Sequence, residues 1–445
     1  MNRLAEFHRD AARRLEHDDP ELFTLLDREL GRQQQTLAMV AACGTAPPPV
    51  LACAGSALTN VTAEGYPGAR FHAGCTVADD VERLAVDRAR ALFGAEYANV
   101  QPHSGSSANL AVLFSLLSPG DTVLGMDLDA GGHLTHGSAA SVTGRYFTTV
   151  GYGVDASGRI DYHDVADLAR RHRPRLIVCG ASSYPGTIDF ARFRAIADEV
   201  GAWLLADISH IAGLVAAGEH PSPVDHAHVT TTSTYKQLYG PRGGLILSGR
   251  DASGPGRDGR GTLAATLQRG VFPLSQGTPD LAAVAAKAHA LAAAATPGFR
   301  ALLRLVREDA AALATALTER GQSVIGGGTD NHLVLLDVGA KGYTGVVVER
   351  ALEECGIVVN KNRIVGDTRP PRITSGVRLG TNTLALRGMG PAEMARCADL
   401  YCEAVAQVEP LDEVRYRLDP AVRDALRAQV ADLCGAFPLP DYPLA

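Results

Sequence analysis

From residue 97 onward the chain breaks repeatedly into short apolar runs that end in polar or glycine-rich turns and lead into helix-favouring segments. Such runs occupy residues 97–100, 122–126, 176–179, 203–206 and 245–247. A strand that is apolar at every position must be covered on both faces. Alternation of such strands with helices is the pattern of an α/β layer with a largely parallel sheet. Functional side chains in that architecture gather at the carboxyl ends of the strands. Residues 1–40 differ: they are charged and helix-favouring, Asp18-Asp19-Pro20-Glu21 marks a helix start, and Leu22, Leu25, Leu26 and Leu30 share one face. This predicts a helical arm that packs on another surface. A helical region over residues 281–320 is interrupted by Thr296-Pro297-Gly298, a predicted domain boundary. Strand patterns at 332–337 and 377–379, with a proline-started helix at 391–408, then predict a smaller α+β domain. The expected division is an arm over 1–40, a large domain over 41–295 and a small domain over 296–445.

With 445 residues and 46% hydrophobic composition, the chain can bury substantial cores. A formal charge of −7 argues against nucleic acid or an anionic membrane as partner and leaves a small molecule as the expected ligand. The eight cysteines form no CxxC pair, which fits reduced thiols and a cytoplasmic location. The amino terminus carries no hydrophobic signal core, and the alanine-rich stretch over 281–295 is interrupted by Lys287 and His289. Both features argue against secretion and membrane spanning.

Three strand ends carry chemistry. After Val100 comes Gln-Pro-His-Ser-Gly-Ser-Ser-Ala-Asn, residues 101–109, and then an apolar helical run. Small residues and hydroxyls at a helix start let backbone N–H groups approach an anion, so Ser104, Gly105 and Ser106 form a candidate phosphate cup. The run Leu204-Leu205-Ala206 ends at Asp207, a carboxylate placed to hold a heterocyclic nitrogen protonated, or simply to cap a turn. The third end leads through Thr232-Ser233-Thr234 to Tyr235 and Lys236. Only four of the 42 Lys and Arg residues are lysine. An amine can form an imine with an aldehyde and a guanidinium cannot, so Lys236 is a candidate Schiff-base residue for pyridoxal phosphate. Scarcity alone is equally compatible with an arginine-rich codon usage, and position has to decide.

Phosphate cup, aspartate and lysine, in that order, resemble the fold type I class of pyridoxal-phosphate enzymes. The match becomes specific in Leu58-Thr-Asn-Val-Thr-Ala-Glu-Gly-Tyr-Pro-Gly, Asn99-Val-Gln-Pro-His-Ser-Gly-Ser, Gly131-Gly-His-Leu-Thr-His-Gly-Ser, Ala227-His-Val-Thr-Thr-Thr, Gly240-Pro-Arg-Gly-Gly-Leu-Ile-Leu and Thr374-Ser-Gly-Val-Arg-Leu-Gly. All resemble serine hydroxymethyltransferases, and the similarity runs to Leu433-Cys-Gly-Ala-Phe-Pro. The resemblance implies that Lys236 holds the cofactor as an imine, Asp207 faces its ring nitrogen, His133 stacks on the ring and Ser182 lies near its phenolic oxygen. It implies that Arg378 grips the substrate carboxylate, that Glu64 handles the substrate hydroxyl proton, and that His210 contacts that hydroxyl. Glu64 and Gly277 would complete the site of a neighbouring subunit, which implies a homodimer or a tetramer built from two dimers. His133 and His136 have zinc-like spacing, but no third ligand is apparent in the sequence and the family is metal-free; no metal is expected.

Several positions depart from the family pattern. The usual Ser-Glu-Asn near the amino terminus is Ala42-Cys43-Gly44. A tyrosine two residues before the acid is Thr62, and the tyrosine pair after Gly-Lys-Arg is Phe71-His72. The histidine before the lysine is Tyr235, and the second glycine of Gln-Gly-Gly-Pro is Thr278. Cofactor positions are kept while substrate-side positions drift. The favoured expectation is therefore retro-aldol and aldol chemistry on a β-hydroxy amino acid, serine or threonine, with a glycine unit passed to an aldehyde in the manner of a threonine transaldolase. The alternative is ordinary serine–glycine interconversion with tetrahydrofolate, for which Leu128, Leu134 and Asn362 would be remnants of a folate site. An α-methylserine hydroxymethyltransferase, an aminotransferase-like enzyme and a non-catalytic binding homologue stay open as further readings.

Overall fold

The computed structural model describes residues 2–442. Met1 and residues 443–445, at the outer ends of the expected arm and small domain, lie outside them. The centre is a seven-stranded sheet of β1 (Tyr97–Asn99), β2 (Thr122–Met126), β3 (Thr148–Tyr152), β4 (Leu176–Gly180), β5 (Trp203–Asp207), β6 (Val229–Ser233) and β7 (Gly244–Ser248). Their order across the sheet is β1-β7-β6-β5-β4-β2-β3, and only β7 runs antiparallel to its neighbours.

The apolar runs alternate between two cores, which explains why they look uniformly hydrophobic. Leu176, Val178, Leu205 and Ile246 pack into one core with Ala108, Leu113 and Leu116. Ile177, Cys179, Leu204, Ala206, Leu245 and Leu247 face the other, with Phe190, Phe193 and Leu303. Each strand therefore shows period two, but both faces are apolar. A four-stranded antiparallel sheet containing Leu333–Asp337 and Gly376–Gly380 forms the smaller layer, with its own core.

Helix starts follow the expected chemistry. Asp19 caps α2 (Pro20–Gln35), accepting from the Leu22 N–H at 3.1 Å, while α1 (Arg3–Asp18) precedes it. Ser104 caps α3 (Gly105–Leu116), Asp280 caps α4 (Leu281–Ala294) and Thr296 caps α5 (Pro297–Glu319). The helical region breaks between Ala294 and Pro297, and α5 serves both cores: Phe299, Leu303 and Val306 join the large one, and Leu313 and Leu317 the small one. Neither α1 nor α2 buries a residue, and Leu4, Phe7, Leu22, Leu25 and Leu26 are exposed along them. Arg387 clips the end of α2 to the chain's last helix, donating to the carbonyls of Gln33 and Gln34 and to those of Cys434 and Phe437. All eight cysteines are free thiols. Among the described residues no helix is long and apolar enough to cross a membrane.

Candidate active site

The carboxyl ends of β5 and β6 and the start of α3 converge on one pocket. Its walls include Ser104, Gly105, Ser106, His133, Ser182, Asp207, His210, Tyr235 and Lys236, all expected from the sequence. Ala181, Ser209 and Ser233 complete it, and sequence reasoning missed all three.

Lys236 is 6% exposed and its ammonium makes no hydrogen bond or ion pair among the described residues; its nearest cation–π neighbour is the Tyr235 ring, 5.6 Å away. The other buried lysine, Lys287, donates to three carbonyls, and Lys361 pairs with Glu349. Burial pushes the Lys236 ammonium down to about 8, with Asp207 opposing and Arg378 adding to the shift. It is a buried amine, half-poised to be neutral, without a hydrogen-bond or ion-pair partner among the described residues.

Asp207 accepts from the Asn109 amide at 2.7 Å, from His136 Nε2 at 3.0 Å and from the Ser209 N–H at 3.0 Å. His136 Nδ1 accepts from the His133 N–H at 3.2 Å, so the proton sits on Nε2 and is donated to the carboxylate. Burial pushes the Asp207 carboxyl up, but the hydrogen bonds from His136 and Ser209 and the nearby imidazoles outweigh it and hold the group well below the usual carboxylate range. The sequence gives Asn109 no role, and His136 only a zinc-like spacing from His133. Their partner lies 98 and 71 residues away, a separation no local pattern reveals.

His133 is held by Thr135, whose hydroxyl lies 2.8 Å from Nδ1, and burial lowers its imidazole to about 4. Burial, together with Lys236 and Arg378, keeps His210 neutral; its Nδ1 has no hydrogen-bond partner among the described residues, and its ring stacks on His332 at 6.0 Å. Arg378, 7% exposed, donates from Nε to Asn360 Oδ1 at 3.1 Å and from Nη1 to the Ser182 carbonyl. Burial lowers its guanidinium to about 10, which leaves it charged at neutral pH.

The remaining expected residues form a second cluster. The Thr278 hydroxyl accepts from the Ala63 N–H at 2.8 Å, and Glu64 meets His72 at 3.2 Å. A Cβ on Gly277 would lie 3.2 Å from Glu64 Oε1. Arg70 fixes this segment, bonding Asp79 and Glu82 and the carbonyls of Ala63 and Gly65. None of Thr62, Glu64, His72, Gly277 or Thr278 lines the Lys236 pocket of its own chain. Leu128 and Leu134 are exposed, and the Asn362 amide donates to Ser183 Oγ at 3.2 Å.

One expectation needs correcting. The two histidines of the HxxH phrase do have a third partner of ligand type, since donor atoms of His133, His136 and Asp207 lie within 4.8 Å of one another. Folding brings Asp207 there from another strand end. His133 Nδ1 is turned to Thr135 and His136 Nε2 to Asp207, so both nitrogens are already engaged locally.

The pocket fits pyridoxal phosphate. Ser104, Ser106 and the first N–H groups of α3 offer an anion site, and at Gly105 a Cβ would already press on Ser209 Oγ at 3.1 Å and Ser233 Cβ at 3.2 Å. An ionised carboxylate and an unpartnered amine stand in the same pocket as that cup. The serine hydroxymethyltransferase family model matches residues 15–401. The chain belongs to the serine hydroxymethyltransferase family. A serine hydroxymethyltransferase of Synechococcus sp. (strain JA-3-3Ab) is 49% identical over 448 residues, covering 98% of each chain. Serine hydroxymethyltransferase 1 of Bordetella parapertussis (strain 12822 / ATCC BAA-587 / NCTC 13253) is 49% identical over 427 residues, covering 96% of each. As a member of this family the chain is a fold type I, pyridoxal-phosphate-dependent transferase.

Proposed function

We propose that the enzyme cleaves and forms the Cα–Cβ bond of a β-hydroxy amino acid, releasing or adding an aldehyde carbon and leaving glycine. Bound pyridoxal phosphate supplies the electron sink that accepts the pair left at Cα. Ser104, Ser106 and the α3 N-terminus bind the cofactor phosphate, and Lys236 provides the amine that holds and releases its aldehyde. Asp207, kept ionised and aimed by His136 and Asn109, retains the proton on the ring nitrogen. Arg378 turns its fork to the substrate carboxylate, and neutral His210 receives the substrate hydroxyl. The carrying observation is Lys236, a buried amine left unpartnered beside an ionised carboxylate and an anion cup. Borohydride reduction and peptide mapping test it: the label belongs on Lys236, and a label on Lys287, Lys341 or Lys361 would refute the assignment.

The one-carbon acceptor divides two readings. Both relatives carry the name serine hydroxymethyltransferase. That favours hydroxymethyl transfer between serine and tetrahydrofolate, and neither name supports the transaldolase expectation. The second reading, transfer of a glycine unit to another aldehyde, is favoured by one observation: three of the changed positions, Cys43, Gly44 and Tyr235, line one large pocket, which shares the Tyr235 wall with the lysine pocket. Turnover of serine with tetrahydrofolate, set against threonine with an aldehyde panel, separates the two.

A homodimer, or a tetramer of two dimers, is the active unit in this reading, with Glu64 and Gly277 completing the neighbour's pocket. The exposed apolar side chains of α1 and α2 and the absence of Glu64 from the lining of its own Lys236 pocket support it. Mixing inactive Lys236→Ala and Glu64→Gln proteins should restore roughly a quarter of wild-type activity through hybrid dimers with one intact site. No recovery after verified subunit exchange would rule it out.

A further inference from the structure

Lys287 interrupts the alanine-rich face of α4 and is 1% exposed. Its Nζ donates to the carbonyls of Val100 at 2.6 Å, Pro102 at 2.9 Å and Gly244 at 3.1 Å, so its three protons are all placed. Those carbonyls belong to the segment running from β1 into the phosphate cup and to the first residue of β7. The stacking is tight. A Cβ on Gly243 would strike Lys287 Cε and lie 2.8 Å from Nζ. One on Gly244 would strike the Ser104 carbonyl and lie 3.2 Å from the Gly105 nitrogen. Ammonium, glycine pair and cup are thus successive layers.

Among the described residues no carboxylate pairs with this buried cation. Asp280 caps α4, and Glu82 on the neighbouring helix is bound to Arg70 and to the Gln101 amide. Both act on Lys287 only across a gap. Arg88, on the same helix as Glu82, donates to the Ala288 carbonyl at 2.8 Å. A buried ammonium without a counter-ion costs several kcal/mol, which carbonyl dipoles offset only in part. Burial accordingly pushes Lys287 down to about 7, so a nearby anion decides its protonation around neutrality.

We propose that Lys287 is a positioning residue for the cofactor phosphate, fixing the Ser104–Ser106 backbone from below and supplying the positive charge that the phosphate balances. The inference rests on the cup being the phosphate site. Its test compares pyridoxal 5′-phosphate with pyridoxal, which lacks the phosphate, in full-length wild-type and Lys287→Met proteins. The readouts are imine absorbance during titration and thermal midpoints for folding. Methionine should weaken the phosphorylated form by about tenfold or more and pyridoxal by less than about twofold. If wild type discriminates between the two and the variant discriminates equally, the role of Lys287 is overturned; if wild type itself does not discriminate, the cup reading falls instead.

A measurement on the unaltered protein stands apart from the variant's folding. With only four lysines, Nζ-labelled protein gives a four-signal spectrum. The Lys287 signal should move, and its titration midpoint rise, between pyridoxal-loaded and phosphate-loaded protein. An unmoved signal overturns the proposal.

Discussion

Lys236 should titrate far below an ordinary lysine, and the consequence is measurable. Burial is the largest cause, Arg378 and Arg242 push in the same direction, and Asp207 and Cys43 oppose. The net fall from 10.5 to about 8 corresponds to roughly 3 kcal/mol favouring the neutral amine. At pH 7.5 about a quarter of the molecules would carry a free amine, against about one in a thousand for an unperturbed group. The sign follows directly: neutral amine accumulates as pH rises through the midpoint, so imine formation should accelerate up to about pH 8 and then level off. The assay is reductive trapping of a small, non-titrating aldehyde on cofactor-free protein, with label quantified on the Lys236 peptide; the denatured chain serves as reference. Replacing Arg378 by methionine removes a cation, so the midpoint should rise by roughly half a unit to one unit. Asp207→Asn should move it the other way. Labelling that keeps climbing beyond pH 10 without a plateau, or a downward shift in the Arg378 variant, would refute the reasoning.

Three further outcomes are expected. Asp207→Asn keeps the shape of the side chain but not its charge, so kcat should fall on the order of a hundredfold to a thousandfold while the cofactor stays bound; near-normal turnover would contradict its role. Arg378→Lys keeps a charge and loses the fork, worth about 1.5–3 kcal/mol of charge-assisted hydrogen bonding, so KM for serine should rise tenfold to a hundredfold with an unchanged imine spectrum. Gly105→Ala places a methyl 3.1 Å from Ser209 Oγ, an atom already accepting from the Ser233 N–H at 3.0 Å. That crowding should cost about 1–3 kcal/mol of cofactor affinity, read by absorbance titration; unchanged affinity would show that the cup does not sit where Ser209 and Ser233 limit it.

What was legible in the sequence was whatever local pattern controls. Strands buried on two faces read as apolar runs, and Ser104, Asp207 and Lys236 stand where strand ends place functional groups. What was not legible depends on contacts between distant segments. The bonds of Asn109 and His136 to Asp207 join segments 98 and 71 residues apart, with several strands and helices between them, and in the sequence His136 shows only its zinc-like spacing from His133. Lys287 looked like a mere break in an alanine-rich stretch, because its three carbonyl partners arrive from β7 and from the turn after β1. Glu64 is recognisable by its motif, but no pattern within one chain shows whose pocket it serves, and its place in a neighbour's site belongs to the dimer proposal. The family resemblance carried those roles further than spacing could.

The drifted positions are best understood as two walls of one volume. On this chain's side, Gly44 lets the 42–44 segment lie against the Lys236 carbonyl, where any Cβ would collide. The Tyr235 ring is covered by the Arg242 guanidinium at 4.3 Å and faces both the lysine pocket and the larger one beside it. Thr62 and His72 belong to the second cluster, which the dimer proposal brings from the neighbour. A hydroxyl or ring missing from either wall changes what the site can hold at the β-carbon, and binding energy elsewhere cannot restore that discrimination. Tyr235→His, which reinstates the family's usual residue, should therefore raise serine cleavage relative to threonine cleavage by about tenfold or more, with Lys236 still forming its imine. The measurement is the ratio of kcat/KM for the two amino acids, taken with and without tetrahydrofolate. An unchanged ratio would mean that Tyr235 is a packing residue beside the lysine, and that selectivity resides wholly in the wall carrying Thr62 and His72.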